Sequence, residues 1–370
     1  MTSNTKSNPP FRAEHIGSLL RPHELIEAHR SLATGKLTAE GFRAAQENLI
    51  RDVIRLQEEA GLQAVTDGEF RRGSYFSHFI EAVTGITDKE AVFHFTGQSG
   101  KKIHFHAPHI AGKLKRERGI STEEFRFLQG NTQCTPKITM PSPSTMHFFR
   151  CGEAVEKSAY ADEEEFFADL VRVYREEVAE LVSLGLRYLQ IDEVPLAMLC
   201  DPKIQAAVRS RGKDPELLRE KYIALVNAIV KDKPEQLTVG MHLCRGNYKA
   251  SWLSEGSYEA VADQLFNNLN VDAFFLEYDG PRAGDFSPLQ YMPSNKTVVL
   301  GLVSSKTPDM EQPDLLKKRV DEASRFVPLE RLAISPQCGF GTSVGSRPVT
   351  LDVEKQKLRL VVDTARQIWG

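Results

Sequence analysis

Compact apolar runs alternate with longer amphipathic stretches along almost the whole chain, and this alternation narrows the folds open to it. The runs fall at 13–18, 64–68, 137–145, 186–192, 237–243, 273–277, 297–303 and 332–336, each centred on Val, Ile, Leu, Phe or Met. Parallel strands read this way because crossover helices cover both of their faces. Between them, 39–60, 164–184, 215–230, 258–269, 314–326 and 353–368 carry apolar residues at three-to-four spacing, which predicts helices. Gly61 and Gly185 follow two of these stretches as C-cap signals. Eight strands with helices between most of them predict an α/β chain folded as a TIM (β/α)₈ barrel, rather than an open doubly wound sheet. A chain of 370 residues is long enough for one such barrel, 1–370, with insertions.

One stretch breaks the rhythm. Residues 86–131 hold a Lys-Lys-Ile-His-Phe-His segment and a basic run at 113–118, with no single helix-length pattern. This predicts an insertion between the second and third strands, a β-hairpin with an irregular arm over the barrel mouth. The basic run reads as a solvated face.

Net charge −3 and pI near 6.4 give no general attraction to nucleic acid or an anionic membrane. The polar start lacks the apolar core of a signal peptide, and no apolar run approaches the ~18 residues of a membrane span. Five cysteines are too few and too scattered for a secreted disulfide framework. A reducing, cytoplasmic setting is expected, with thiolates free for metal or chemistry. The long helices leave room for a homodimer without demanding one.

Polar residues gather where the predicted strands end, the face on which barrels of this kind carry their chemistry. The ends read His15-Ile16-Gly17-Ser18, Thr66-Asp67-Gly68-Glu69, Gln190-Ile191-Asp192-Glu193, His242-Leu243-Cys244, Glu277-Tyr278-Asp279 and Ser335-Pro336-Gln337-Cys338. Residues two apart on a strand share a face, so His242 and Cys244 can approach one ion together. With Glu277 and Cys338 from neighbouring strand ends they make an N, O, S₂ set that suits zinc better than magnesium or calcium. On spacing alone, core packing competes as an account of each residue. His104, His106 and His109 form a weaker constellation, inside the insertion and without a thiolate.

Six motifs then follow in one order: Ile16-Gly17-Ser18, Asp67-Gly68-Glu69, Ile191-Asp192-Glu193, His242-x-Cys244, Phe275-Leu276-Glu277 and Pro336-x-Cys338-Gly339. Over nearly its whole length the chain resembles the catalytic domain of the cobalamin-independent methionine synthase family, and more closely its short, single-barrel members. The resemblance implies a TIM barrel with Zn²⁺ bound by His242, Cys244, Glu277 and Cys338. It implies homocysteine held by Ile16, Ser18, Glu69 and Asp192, the two carboxylates gripping its ammonium group. The implied reaction is methyl transfer to the zinc-activated thiol, forming methionine, with Glu277 the ligand that loosens.

Departures from the family concern the methyl donor. Lys306 stands where the long folate-dependent enzymes place a histidine proton donor, which makes Lys306 and Glu277 the candidate catalytic residues. Phe149 stands for a pterin-stacking tryptophan, and Ala197 and Met198 occupy the place of a folate-contacting acid. The second, amino-terminal barrel of the long enzymes has no counterpart. The donor is therefore open: a folate, a corrinoid protein or a small methylated compound. Arg71, Arg72, Tyr75, Phe79, Arg245, Asn247, Tyr278 and Asp279 are candidates to line the donor side. Competing functions are alkyl transfer to another thiol, a metal-free lyase resembling uroporphyrinogen decarboxylase, and a zinc-binding barrel without turnover.

Overall fold

The computed structural model describes residues 8–96, 100–248, 251–344 and 347–370. Its strands, in chain order, begin with β1 (Ala64–Val65). An excursion follows, made of β2 (Val83–Glu90), β3 (Phe95–Thr96), β4 (Lys102–Ile103) and β5 (His106–Arg116). Next come β6 (Thr135–Pro136) and β7 (Ile138–Pro141), then β8 (Tyr188–Glu193) and β9 (Thr238–Leu243). The last are β10 (Ala273–Glu277), β11 (Thr297–Val303) and β12 (Leu332–Pro336).

Strands β7 to β12 lie side by side in chain order, all parallel. β1 joins them by pairing in parallel with β6, and the Lys137 amide donates to Val65 O at 2.8 Å. The segment 12–19 closes the circle. It bridges β12 through Ala13 and Ile334, and on its other side Leu19 N donates to Gly68 O at 3.0 Å. The Thr66 hydroxyl also donates to Gly17 O, at 2.6 Å. Eight barrel positions are thus filled, and the fold is a TIM barrel.

Three expected strands differ in detail, of which 64–68 pairs only over Ala64–Val65. Segment 13–18 carries one bridge rather than a ladder, because the chain turns at Gly17, whose φ is +130°. A Cβ there would lie 2.7 Å from Thr139 Cγ2 and 3.2 Å from Glu69 Oε1, so the bend brings backbone directly onto the site. In 137–145 the ladder stops at Pro141, and Thr145–Phe148 is helical. Pro141 and Pro143 have no amide hydrogen to extend the pairing.

Helices pack around the barrel with the expected caps. Ala39–Ala60 starts where the Thr38 hydroxyl accepts from Gly41 N at 3.1 Å, and stops at Gly61 with φ +91°. Glu163–Ser183 and Pro215–Val230 are capped by Asp162 and Asp214. Leu351–Trp369 begins at Thr350. Inside the barrel, Phe11, Ile16, Ala64, Tyr188, Phe275, Val299 and Ala333 pack as a separate core. Beneath the site, buried Lys137 pairs with Glu14 at 3.1 Å, and Glu14 also accepts from the Tyr188 hydroxyl at 2.8 Å. This filled interior leaves chemistry to the opposite, C-terminal end of the strands.

β2 and β5 form a long antiparallel hairpin running from Val83↔Arg116 to Glu90↔His106, with a register shift at Gly85. β3 and β4 form a smaller one. Thr122–Asn131 then forms a helix that the sequence pattern does not announce, since Phe125 and Leu128 are its only buried large apolar residues. Of the basic run, Arg116 and Lys113 pair with Glu177 and Glu165 on Glu163–Ser183, so that face is ion-paired rather than only solvated. Among the described residues, no helix is long and apolar enough to cross a membrane.

Candidate active site

Register sets the centre of the site. Asp192 on β8 and Phe275 on β10 flank His242 on β9 as direct neighbours. Cys244 lies just past the end of β9 and Cys338 two residues past β12. The ligand atoms of His242, Cys244 and Cys338 all lie within 4.8 Å of one another, the one such group found among the described residues. Cys244 Sγ is 3.0 Å from Cys338 Sγ, and Cys338 Sγ is 3.7 Å from His242 Nε2. All three are buried.

The hydrogen bond from the Cys338 thiol holds Cys244 well below the usual thiol range, against the cost of burial and with help from His242. The same bond keeps the proton on Cys338 and pushes its pKa up. Gly246 N donates to Cys244 Sγ at 3.3 Å, adding support for a thiolate. His242 Nδ1 is buried with no hydrogen-bond partner. One imidazole with an orphaned nitrogen and two sulfurs, one of them with its pKa held low, is a donor set that fits zinc.

Glu277 is not among the three converging residues. Its Oε1 accepts from Lys306 Nζ at 2.8 Å and from Arg282 at 2.9 Å, while Oε2 accepts from Arg245 N at 3.1 Å. Burial works against its charge, but Lys306, Arg245 and Arg282 outweigh that and hold its pKa down to about 2. Lys306 is itself buried, and Glu277 and Asp279 keep it protonated well above the usual lysine range.

On the other side of the triad stand two further carboxylates. Glu69 is the one non-glycine residue with positive φ among those described, at +59°. Such strain persists where surrounding contacts over-determine a side chain. Glu69 N donates to Asp67 Oδ1 at 2.7 Å, and Glu69 Oε1 accepts from the Thr139 hydroxyl at 2.9 Å. Arg72, wholly buried, donates to that hydroxyl and to Thr139 O, both at 2.8 Å, and grips Glu124 at 2.9 and 3.1 Å. Asp192 accepts from Gln190 at 2.7 Å. Burial and the proximity of Glu69 raise its pKa to about 7, partly offset by His242. Ser18 sits against Gly339, where a Cβ would lie 1.9 Å from the serine hydroxyl.

These groups share one cavity of about 570 Å³ that contains Ile16, Ser18, Glu69 and Asp192 together with His242, Cys244 and Cys338. The same cavity is also walled by Tyr75, Phe76, Phe95, Phe105, Phe149 and Tyr248. Tyr75 and Asn247 therefore line it as expected. The other proposed donor-side residues do not. Arg72 lies behind Glu69, Phe79 stacks on Tyr174, and Arg71 lies over Phe127. Tyr278 packs between Tyr258 and Phe286, and Arg245 is buried against Tyr258. Asp279 bonds the Ser304 hydroxyl at 3.1 Å and is likewise outside the cavity lining. His104 and His106 bind Glu90 and Asp88 on the hairpin, and His109 binds Glu156. Phe95 and Phe105 had no signal in the sequence, because only the hairpin register turns them to the cavity.

The chain matches the family described as cobalamin-independent synthase, catalytic domain, over residues 11–367. It belongs to the cobalamin-independent methionine synthase family. The YxjH protein of Bacillus subtilis is 38% identical over 97% of this chain and 95% of its own length. Methionine synthase of Pyrococcus horikoshii is 28% identical over 88% of this chain and 85% of its own. A Listeria monocytogenes protein assigned to the vitamin-B12-independent methionine synthases superposes with a TM-score of 0.77 and 32% identity, covering 99% of this chain and all of that one. Membership in the methionine synthase family makes the chain a methyltransferase and sets the lyase reading aside.

Proposed function

We propose that this methionine synthase relative is a zinc-dependent S-methyltransferase that converts homocysteine to methionine. The observation that carries the reading is the convergence of His242, Cys244 and Cys338 in the same cavity as Glu69 and Asp192. The three residues would hold the ion, and Glu277 would complete the set when it turns from its cations. A bound zinc ion supplies Lewis acidity that keeps a substrate thiol ionised at neutral pH. Glu277 suits the part of exchangeable ligand, because Lys306 and Arg282 stand ready to receive its carboxylate. Lys306 acts here by holding Glu277 rather than by giving up a proton.

Glu69 and Asp192 grip the substrate ammonium, whose arrival relieves the repulsion between them. Ser18 is placed to bond the substrate carboxylate. The thiolate so positioned attacks a donor methyl carbon in line, forming the S–CH₃ bond of methionine. The methyl donor enters from the hairpin side, the open half of the cavity. A cytoplasmic setting that keeps Cys244 and Cys338 reduced goes with this reading.

The two deep carboxylates favour a thiol bearing an amino group over a coenzyme-type thiol without one. Calorimetry on the zinc-loaded protein tests this with homocysteine and 3-mercaptopropionate. Homocysteine is expected to bind at least tenfold more tightly, and Asp192→Asn to erase most of the difference. Equal binding of the two thiols would overturn the assignment and favour alkyl transfer to another thiol.

A further inference from the structure

The outer half of the cavity has a composition that selects its ligand. Among its described lining residues there is no lysine or arginine, while Glu81 and Asp88 stand at the rim beyond Glu69 and Asp192. Of the two rim histidines, His106 is bound to Asp88 at 2.6 Å and His104 to Glu90 at 2.8 Å. Between rim and metal triad runs a continuous aromatic wall. Phe95 meets Phe105 at 5.1 Å and Tyr248 at 5.3 Å, and Phe105 meets Phe149 edge-on at 5.3 Å. The wall starts on the hairpin and lines the same cavity as Cys244.

We infer that this half binds a small onium methyl donor, a sulfonium or quaternary ammonium compound whose transferable methyl sits on a positively charged atom. Ring faces attract a desolvated cation, and carboxylates at the entrance attract it from solution. Among the described lining residues there is no cation to pair with a donor carrying several carboxylates, such as a polyglutamylated folate. The wall holds the onium centre in line with the homocysteine sulfur.

The inference rests on the thiol methylation proposed above and extends it to the donor. In the step, the thiolate sulfur forms a bond to the methyl carbon. The bond from that carbon to the onium atom breaks, and its electron pair stays on the leaving atom. A sulfonium leaves as a neutral thioether and a quaternary ammonium as a neutral tertiary amine. Charges cancel, no proton is transferred and no redox partner is needed.

The zinc-loaded, full-length protein is assayed for methionine formation with homocysteine and, separately, S-methylmethionine, glycine betaine, methyltetrahydrofolate triglutamate and methylcobalamin. Homocysteine affinity is measured by calorimetry in parallel. Turnover with S-methylmethionine or betaine is expected, and which of the two reacts identifies the onium type. Phe105→Leu is expected to raise the KM for that donor about tenfold and leave homocysteine affinity unchanged. Ligand-observed NMR provides a readout independent of turnover: tetramethylammonium is expected to bind in the cavity and the neutral isostere tert-butanol not to. Homocysteine binding without turnover from either onium probe overturns the inference, whatever the other donors do. Failure of homocysteine to bind overturns the underlying reading instead.

Discussion

Each side chain that would touch substrate is held by a residue that would not. Glu69 is fixed by Thr139, and Thr139 by Arg72, whose guanidinium also closes on Glu124. Arg72 is therefore a positioning residue, and its planar fork matters as much as its charge. Arg72→Lys is expected to keep zinc content unchanged and weaken homocysteine binding about tenfold, roughly 1.4 kcal/mol. Calorimetry and metal analysis on one preparation check both halves of that statement. That His242, Cys244 and Asp192 meet in one cavity was legible in the sequence, because strand-end residues are local: His242-x-Cys244 and Ile191-Asp192-Glu193 stay at the strand ends wherever the strands go. The residues that hold these side chains from behind were not. Arg72 reads as one more loop cation until the fold buries it. Arg282 reaches Glu277 only because the short Pro281–Ala283 turn folds back and rests the guanidinium over Trp252.

Elements tell a similar story. The strands 273–277, 297–303 and 332–336 and the helices 39–60 and 215–230 coincide with the sequence pattern, because their apolar period decides their state without help. Segment 13–18 does not, since its side chains serve the site and the barrel floor rather than a ladder. The start of Leu351–Trp369 shows what such tertiary demands cost. Glu354 is wholly buried there, its Oε2 accepting from Leu20 N at 2.8 Å while Oε1 has no partner. Burial raises its pKa to about 8, from 4.5 in an exposed setting. The folded state thus binds the extra proton between those values, and stability falls as pH rises from about 4.5 towards 8. Glu354→Gln removes this dependence. Thermal or urea unfolding is expected to show little change at pH 5 and a gain of about 1–3 kcal/mol near pH 8.5. An equal effect at both pH values would mean that Glu354 is already ionised in the folded protein.

Across the whole molecule, the barrel gathers His242, Cys244 and Cys338 at one end, and the β2–β5 hairpin adds Asp88 and His106 to the lining of their cavity. The insertion carries part of the aromatic wall through Phe95 and Phe105. Because zinc would bind the folded chain and not the unfolded one, its affinity adds directly to stability. In the proposed reaction His242, Cys244 and Cys338 would hold a zinc ion that receives the substrate sulfur. Elemental analysis combined with zinc X-ray absorption tests it most directly, on wild type with and without homocysteine and on Cys338→Ser. About one zinc per wild-type chain is expected, with one added sulfur neighbour when homocysteine binds and loss of most of the metal in the variant. A folded wild-type protein that binds no zinc, or a zinc whose sulfur count homocysteine leaves unchanged, would contradict it.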